Sequence, residues 1–267
     1  MRGPKRIIFS LLYADGFFHL SRNFRLQRVG DLRWLLDKFR FKSITNYIDE
    51  LIIINVGGSS SGHDFDSFSK IVSELSAIHM VPITAGGGVR SYHDAKLLMD
   101  MGADKVLVNS DAFRHKIWIE DFSGDYGAQA LVLSVDVLHS ESGYEIYIDC
   151  GTERFGELRN LSRAINLSLF GDICLRSINR DGTGFGLDHC LYAELTSDIT
   201  NPIILCGGLG NYKHLVESFN RKMLSSVATA NLFNFMGDSL KNLRENTGES
   251  VPDLQTWKNV EDVSIAR

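Results

Sequence analysis

The sequence predicts a (β/α)8 barrel, a closed ring of eight parallel strands with helices packed around it. Three observations predict it: short apolar runs recur eight times, helical periodicity fills the segments between them, and two glycine-rich segments repeat at a fixed interval. At 267 residues the chain suits one such barrel, which usually takes ~250 residues.

The eight apolar runs are continuous rather than alternating, as expected of parallel strands buried on both faces. An open, doubly wound sheet is the alternative, but it does not require a regular eightfold count. The predicted strands are residues 6–12, 51–55, 81–85, 105–109, 131–136, 173–178, 202–206 and 225–230.

The segments between the runs change to helical spacing. In residues 65–78, apolar side chains recur every three or four positions, which is one face of a helix. Ser91 with Asp94 three residues later is typical of a helix start, and Gly102 of a helix end. We expect the barrel to span residues 1–240 and residues 241–267 to form a closing helix and tail.

The glycine-rich segments indicate two similar half-barrels. Gly86 and Gly207 are 121 residues apart, and so are Ser110 and Asn231, which follow the next strand in each half. A constant offset of this kind is typical of an internal repeat. We therefore predict a twofold half-barrel repeat, with one glycine-rich loop beside one polar strand end in each half.

Glycine pairs at strand ends leave backbone N–H groups open to anions, and barrels often bind phosphate there. Either loop alone could equally be a tight turn. Two copies at one offset favour a ligand with two phosphates. The predicted phosphate-binding residues are Gly86, Gly87, Gly88, Asn109, Ser110, Asp181, Gly182, Thr183, Gly207, Gly208, Ala230 and Asn231.

Asp136 ends the fifth predicted strand and is the best-placed general acid or base. Its alternative role is to cap the following loop. At the other end of the barrel, four charged residues begin strands: Arg6, Glu50, Lys105 and Asp172. By position alone, these four charges favour a role in stability, since that face of a barrel usually has one.

Composition excludes several classes of protein. The net charge of −5 shows no basic surface for nucleic acid. The four cysteines and eight histidines form no metal-ligand spacing, so we expect neither a metal nor a cofactor. The apolar run after Arg6 ends at Asp15-Gly16 with no cleavage site, and no run is long enough to span a membrane. A cytoplasmic protein is expected.

Several strings occur together in the order of one known family: Lys5-Arg6-Ile7-Ile8, Gly86-Gly87-Gly88-Val89, Gly102-Ala103-Asp104-Lys105-Val106 and Ser177-Ile178-Asn179-Arg180-Asp181-Gly182-Thr183. Over residues 5–240 the chain resembles the cyclase subunit of imidazole glycerol phosphate synthase, the HisF-type barrels. The resemblance implies a glutaminase partner whose ammonia enters at the bottom of the barrel and reacts at the top with a two-phosphate substrate. It also implies that Arg6, Glu50, Lys105 and Asp172 form an ammonia gate, that Asp104 lies at the partner interface, and that Asp136 is catalytic.

The chain departs from the family pattern in its polar residues. The other catalytic aspartate of the family falls on Leu12, its strand-two aspartate on Asn55 and its strand-six aspartate on Asn179. The substrate-contacting lysine falls on Leu20. By this resemblance the chain keeps the residues of the ammonia route. It lacks the pair of carboxylates that cyclisation requires, because leucine has no group that can transfer a proton.

The string Ser10-Leu11-Leu12-Tyr13-Ala14-Asp15-Gly16 resembles the HisF-like proteins associated with amidation of surface-polysaccharide sugars. This resemblance implies a third, sugar-amidating enzyme as partner and a phosphorylated or nucleotide-sugar substrate. Two alternatives remain open: a true cyclase of histidine biosynthesis, and a non-catalytic scaffold.

Overall fold

The computed structural model describes residues 4–38, 41, 45–57, 65–78, 80–221, 224–230, 239–248, 250, 251 and 254. It contains a closed ring of eight parallel strands. In ring order these are β1 (Arg6–Ala14), β4 (Glu50–Asn55), β5 (Ile83–Gly86), β6 (Lys105–Val108), β7 (Leu131–Ser140), β10 (Asp172–Ser177), β11 (Ile203–Cys206) and β12 (Leu224–Thr229). The predicted (β/α)8 barrel is confirmed.

Helices connect the barrel strands and cover their outer face. The helix over Phe65–Ser76, α2, buries Phe68, Val72 and Leu75, the face that the sequence spacing predicts. At the start of α3, the Ser91 hydroxyl accepts a hydrogen bond from the Asp94 N–H at 3.1 Å. Within the described residues the helices are α1 (Leu32–Lys38), α2 (Phe65–Ser76), α3 (Tyr92–Asp100), α4 (Ser110–Phe113), α5 (Trp118–Tyr126), α6 (Leu161–Ala164), α7 (His189–Ala193), α8 (Tyr212–Phe219) and α9 (Ser239–Gly248).

Two antiparallel hairpins extend from the ring. Strand β1 continues into β2 (Phe17–Arg22) and β3 (Arg25–Gly30), and β7 continues into β8 (Gly143–Ile148) and β9 (Glu153–Glu157). Since β1 and β7 are the first and fifth of eight ring strands, the hairpins rise from opposite sides of the barrel. The layout is the same in both halves, as a half-barrel repeat predicts.

Helix α9 is joined to the lower end of the barrel by a buried ion pair. Arg244 donates through Nη2 to Asp49 Oδ1 at 2.7 Å and through Nη1 to Oδ2 at 3.0 Å. The same Oδ2 accepts from the Ile7 N–H in β1 at 2.8 Å, and Asp49 is buried. The predicted boundary between residues 240 and 241 lies within α9 and stays a prediction, as does the tail beyond 254, which lies outside the described residues.

Candidate active site

The interior of the barrel is apolar between its two ends. Successive side chains of a strand point to opposite faces, so every second residue of each ring strand points inward. The inward set includes a separate apolar cluster whose members are Ile8, Leu12, Ile52, Ile54, Leu107, Val132, Cys174, Ile204, Cys206 and Ala228. All of them are buried. The core between strands and helices is a second, larger cluster.

Four charged side chains close the lower end of this interior in a ring. Arg6 donates to Glu50 Oε2 and to Asp172 Oδ1, both at 2.8 Å. Lys105 Nζ lies 3.0 Å from Asp172 Oδ2 and 3.3 Å from Glu50 Oε1. Positive and negative groups therefore alternate around a complete square. The structure brings together all four residues that the sequence analysis assigned to this ring.

Two members of the ring, Arg6 and Asp172, are kept ionised by their neighbours. Burial works against the charge of Arg6, but Glu50 and Asp172 outweigh it and raise the pKa of the guanidinium. Burial likewise opposes ionisation of Asp172, while Arg6 and Lys105 bring the pKa of its carboxyl below its usual value. About a fifth of the Arg6 and Lys105 side chains is exposed, so both cations reach solvent below the barrel.

At the upper end, Asp136 points inward from β7 beside two polar neighbours. Asn109 donates through Nδ2 to Asp136 Oδ2 at 3.3 Å and to the Ser134 carbonyl at 3.0 Å. Arg176 of β10 stands directly across the strand pair, with Nε 3.9 Å from Asp136 Oδ1. The upper end thus combines a buried carboxylate, an amide and a guanidinium.

The pKa of Asp136 is suited to proton transfer near neutral pH. Burial raises the pKa to about 6, the Arg176 charge works in the opposite direction, and Asp181 adds to the rise. A carboxyl group with a pKa near the working pH exchanges protons efficiently as a general acid or base. No second carboxylate faces it from β1, because Leu12 takes that position and is buried in the interior cluster.

The two glycine-rich loops have left-handed backbone conformations. Gly87 and Gly88 have φ of 90° and 77°, and Gly207 and Gly208 have φ of 99° and 96°. A Cβ on Gly87 would lie 2.1 Å from the Asn55 carbonyl, and one on Gly208 would lie 2.2 Å from the Gly186 carbonyl. These glycines let the loops pack closely against neighbouring backbone, so packing alone already requires glycine at both positions.

The hairpin of β2 and β3 crosses the upper end of the barrel. Its turn residue Asn23 donates through the backbone N–H to the Asp181 carbonyl at 3.0 Å, and Phe24 N donates to Asp181 Oδ2 at 3.1 Å. Ser21 also donates to Asp181 Oδ2, at 2.5 Å. The Asp181 carboxylate therefore anchors the hairpin. Thr183 closes its own turn by donating to the Arg180 carbonyl.

The remaining predicted site residues lie at the expected ends of the barrel. Ser110 accepts from the Asp149 N–H at 3.0 Å, Gly182 packs against Ser21, and Ala230 follows the end of β12. At the lower end, Asp104 is exposed and its Oδ2 accepts from the Ile83 N–H at 2.8 Å. Asn231 lies outside the described residues.

Within the part of the chain that the structure describes, no three histidine, cysteine or acidic side chains lie close enough to hold a metal ion. All four cysteines are free thiols. None of the helices in that part is long and apolar enough to cross a membrane.

Comparison with known proteins identifies the family. The family model described as "Histidine biosynthesis protein" matches residues 40–238. The chain belongs to this family. It is 42% identical over 264 residues to a Parasynechococcus marenigrum (strain WH8102) protein provisionally named imidazole glycerol phosphate synthase subunit hisF2, covering 98% of this chain and 97% of that relative.

Relatives named imidazole glycerol phosphate synthase subunit HisF are more distant. The Leptospira biflexa serovar Patoc protein is 34% identical over 207 residues, which is 76% of this chain and 80% of its own length. The Bacteroides fragilis (strain YCH46) protein is 31% identical over 233 residues, or 86% and 91%. The chain is thus a HisF-like barrel.

One departure from the family pattern, Asn179, has a structural explanation. Asn179 accepts from the His139 N–H at 2.7 Å and donates to the His139 carbonyl at 3.2 Å, so it bridges β7 with both ends of its amide. An ionised aspartate could make only the first of these bonds. Asn55 accepts from the Gly57 N–H at 3.1 Å and shapes the loop after β4. Both asparagines therefore stabilise the loops of the upper end.

Arg176 was not among the predicted site residues. The residue lies inside a predicted strand, two positions after Cys174. Because Cys174 points into the interior and side chains alternate along a strand, Arg176 points inward too. The sequence did offer one indication of it, a charged arginine within the otherwise uncharged strand Ile173-Cys174-Leu175-Arg176-Ser177-Ile178.

The glycine-rich loop after β5 allows a direct test of anion binding. A Cβ on Gly88 meets no heavy atom closer than 4.0 Å, and aspartate and asparagine tolerate positive φ better than other residues. We expect sulfate or phosphate to raise the melting temperature of the wild type and of Gly88→Asn, but to raise that of Gly88→Asp less, because the added charge repels the anion. A bound ligand at about 100 times its Kd stabilises by ~2.7 kcal/mol. Equal responses in all three proteins would make this loop a turn only.

Proposed function

We propose that this chain is the synthase subunit of a glutamine-dependent amidotransferase. A glutaminase subunit docks on the lower end, and its ammonia passes the ring of Arg6, Glu50, Lys105 and Asp172. The ammonia then crosses the apolar interior and reacts beside Asp136. The observation that carries the proposal is the closed ionic ring below an apolar interior that leads to one buried carboxylate.

The lining of the interior favours neutral ammonia over ammonium. Moving an unpaired ion into an apolar environment costs far more than moving a neutral polar molecule. The interior between the ring and Asp136 offers mainly apolar groups, with the hydroxyls of Ser10, Thr84 and Ser134 on the inward positions. Ammonia released below the ring can therefore cross as the uncharged molecule, which is also the nucleophilic form.

We further propose that the acceptor is a sugar of a surface polysaccharide, modified together with a third enzyme. Leu12 supports this choice over histidine biosynthesis, because only one carboxylate remains for the two proton transfers of cyclisation. The acceptor is a phosphorylated or nucleotide-linked sugar, with its phosphates at the glycine-rich loops. A true imidazole glycerol phosphate cyclase is the second candidate, favoured by the HisF names of the relatives.

Co-purification tests the partner. We expect the tagged chain to co-purify with a glutaminase and with a sugar-modifying enzyme. Native mass spectrometry should show one glutaminase per copy of this chain. Asp104→Lys should weaken the complex by charge reversal at an exposed position, whereas Asp104→Asn should retain it, since its amide oxygen can still accept from the Ile83 N–H. Recovery of no glutaminase would favour the scaffold, and equal binding by both variants would remove Asp104 from the interface.

A further inference from the structure

Arg176 is a largely buried cation in the upper end of the barrel. In the strand register it pairs with Asp136 of β7 on one side and Cys206 of β11 on the other. Its side chain is 12% exposed and that of Asp136 is 9% exposed. An arginine at this depth is rare unless a counter-charge or a ligand satisfies its donors.

The structure leaves that requirement unmet. Arg176 Nη2 and Asp136 Oδ1 are both buried, and neither has a hydrogen-bond partner among the residues that the structure describes. The 3.9 Å between Arg176 Nε and Asp136 Oδ1 is an ion-pair distance, too long for a hydrogen bond. An unpaired buried donor destabilises the protein, and more so when it is charged. Such a cost at the mouth of a barrel points to a group that supplies the missing bonds.

The groups around the pair determine which ligand fits. Asn109 already donates to Asp136 Oδ2, so Oδ1 is the oxygen left for a ligand. Asp181 is held by the hairpin of β2 and β3. The titratable and charged groups that face the pair are Asp181 after β10, Cys174 of β10, Cys206 of β11 and Cys150 after β8. None of these four groups is a cation, so among the described groups Arg176 supplies the positive charge of the site.

We propose that Arg176 and Asp136 form a binding site for an anionic oxygen group of the substrate, a carboxylate or a phosphate. The planar guanidinium binds anionic oxygens more strongly than it binds neutral acceptors, because the hydrogen bonds are charge-assisted. Asp136 takes up a proton on binding, keeps it, and donates a hydrogen bond from the protonated Oδ1 to the ligand. The inference rests on the proposed function only in placing the substrate at this end of the barrel.

Proton uptake follows from charge balance. With Asp136 ionised, the pair is neutral, and a bound anion would leave a buried net negative charge. Burial raises the pKa of Asp136 to about 6, against the opposing effect of Arg176 and with the help of Asp181, so protonation is accessible. A bound anion raises that pKa further. Anion binding is therefore strongest below pH 6 and weakens as pH rises, when the protonated fraction falls.

The experiment is calorimetric titration of the full chain with sodium acetate and with inorganic phosphate at pH 5.5, 7 and 8 and constant ionic strength. Between pH 5.5 and pH 8 we expect the affinity of the wild type to fall about 75-fold, following the protonated fraction. Arg176→Gln should lose about 10- to 100-fold at pH 5.5. Arg159→Gln is the matched control, since Arg159 is exposed and pairs with Glu157 at the surface.

Asp136→Asn gives a change of opposite sign, which no loss of folding can imitate. Its amide carries no charge, so it should bind anions with little pH dependence and, at pH 8, at least about tenfold more tightly than the wild type. If acetate binds more tightly than phosphate, the ligand group is a carboxylate; if phosphate binds more tightly, it is a phosphate. Gly88→Asp shows how much of the phosphate binding is due to the glycine-rich loop, because the added charge repels an anion there.

Three results would overturn the inference: no saturable binding of either anion, a wild-type affinity that does not change with pH, or an Arg176→Gln protein that binds like the wild type. None of them affects the glutaminase complex, so this site and the ammonia route stand or fall separately.

Discussion

A strain that lacks its own imidazole glycerol phosphate cyclase should fail to grow without histidine when it carries this chain and a glutaminase. Leu12 occupies the inward position on β1 that would hold the second carboxylate, and Asp136 alone remains. Loss of one general acid or base typically costs ~10²–10⁴-fold in rate. Ammonium in the medium should not rescue growth, because the deficit lies in proton transfer and not in ammonia supply.

Leu12→Asp separates the lost carboxylate from the rest of the site. We expect it to restore little growth, since Arg176 still pairs with Asp136 and Leu20 and Asn55 replace further polar groups of the family pattern. A HisF protein expressed from the same vector is the positive control. Robust growth with the unmodified chain would make histidine biosynthesis the correct assignment.

The sequence was informative wherever burial on both faces leaves a local signal. All eight ring strands were predicted, because each is a continuous apolar run. The strand predicted over 131–136 continues to Ser140, and the one over 6–12 continues to Ala14. The hairpins that follow were missed, because their strands mix polar and apolar residues and pair antiparallel outside the ring.

The candidate site divides in the same way. The ionic ring could be predicted because each member begins a strand and resembles a family residue at that place. The Arg176–Asp136 pair could not, because its distance depends on the register between β7 and β10. The anchoring of the hairpin by Asp181 likewise joins residues 160 positions apart. Contacts of that separation have no local pattern in the sequence.

Lys105→Ala should uncouple glutamine hydrolysis from ammonia transfer. It removes the nitrogen that joins Glu50 to Asp172 and opens one side of the ring. Breaking a buried ion pair from one side costs ~3–5 kcal/mol, so the variant should be less stable but folded. Ammonia should then escape into the solvent. The amount of free ammonia measured in solution should rise until it equals the amount of glutamate formed. Lys96→Ala is the control, because Lys96 pairs with Asp100 on the surface.

The most direct test of ammonia passage through the barrel is the origin of the transferred nitrogen. The complex with its glutaminase and acceptor enzyme is supplied with glutamine labelled with ¹⁵N in the amide, in a medium that contains unlabelled ammonium, and the product is weighed by mass spectrometry. The ammonia route predicts that the wild type and Lys96→Ala yield mainly ¹⁵N product, whereas Lys105→Ala and Arg6→Ala yield product that approaches the isotope ratio of the medium. Product with the isotope ratio of the medium in the wild type would contradict it.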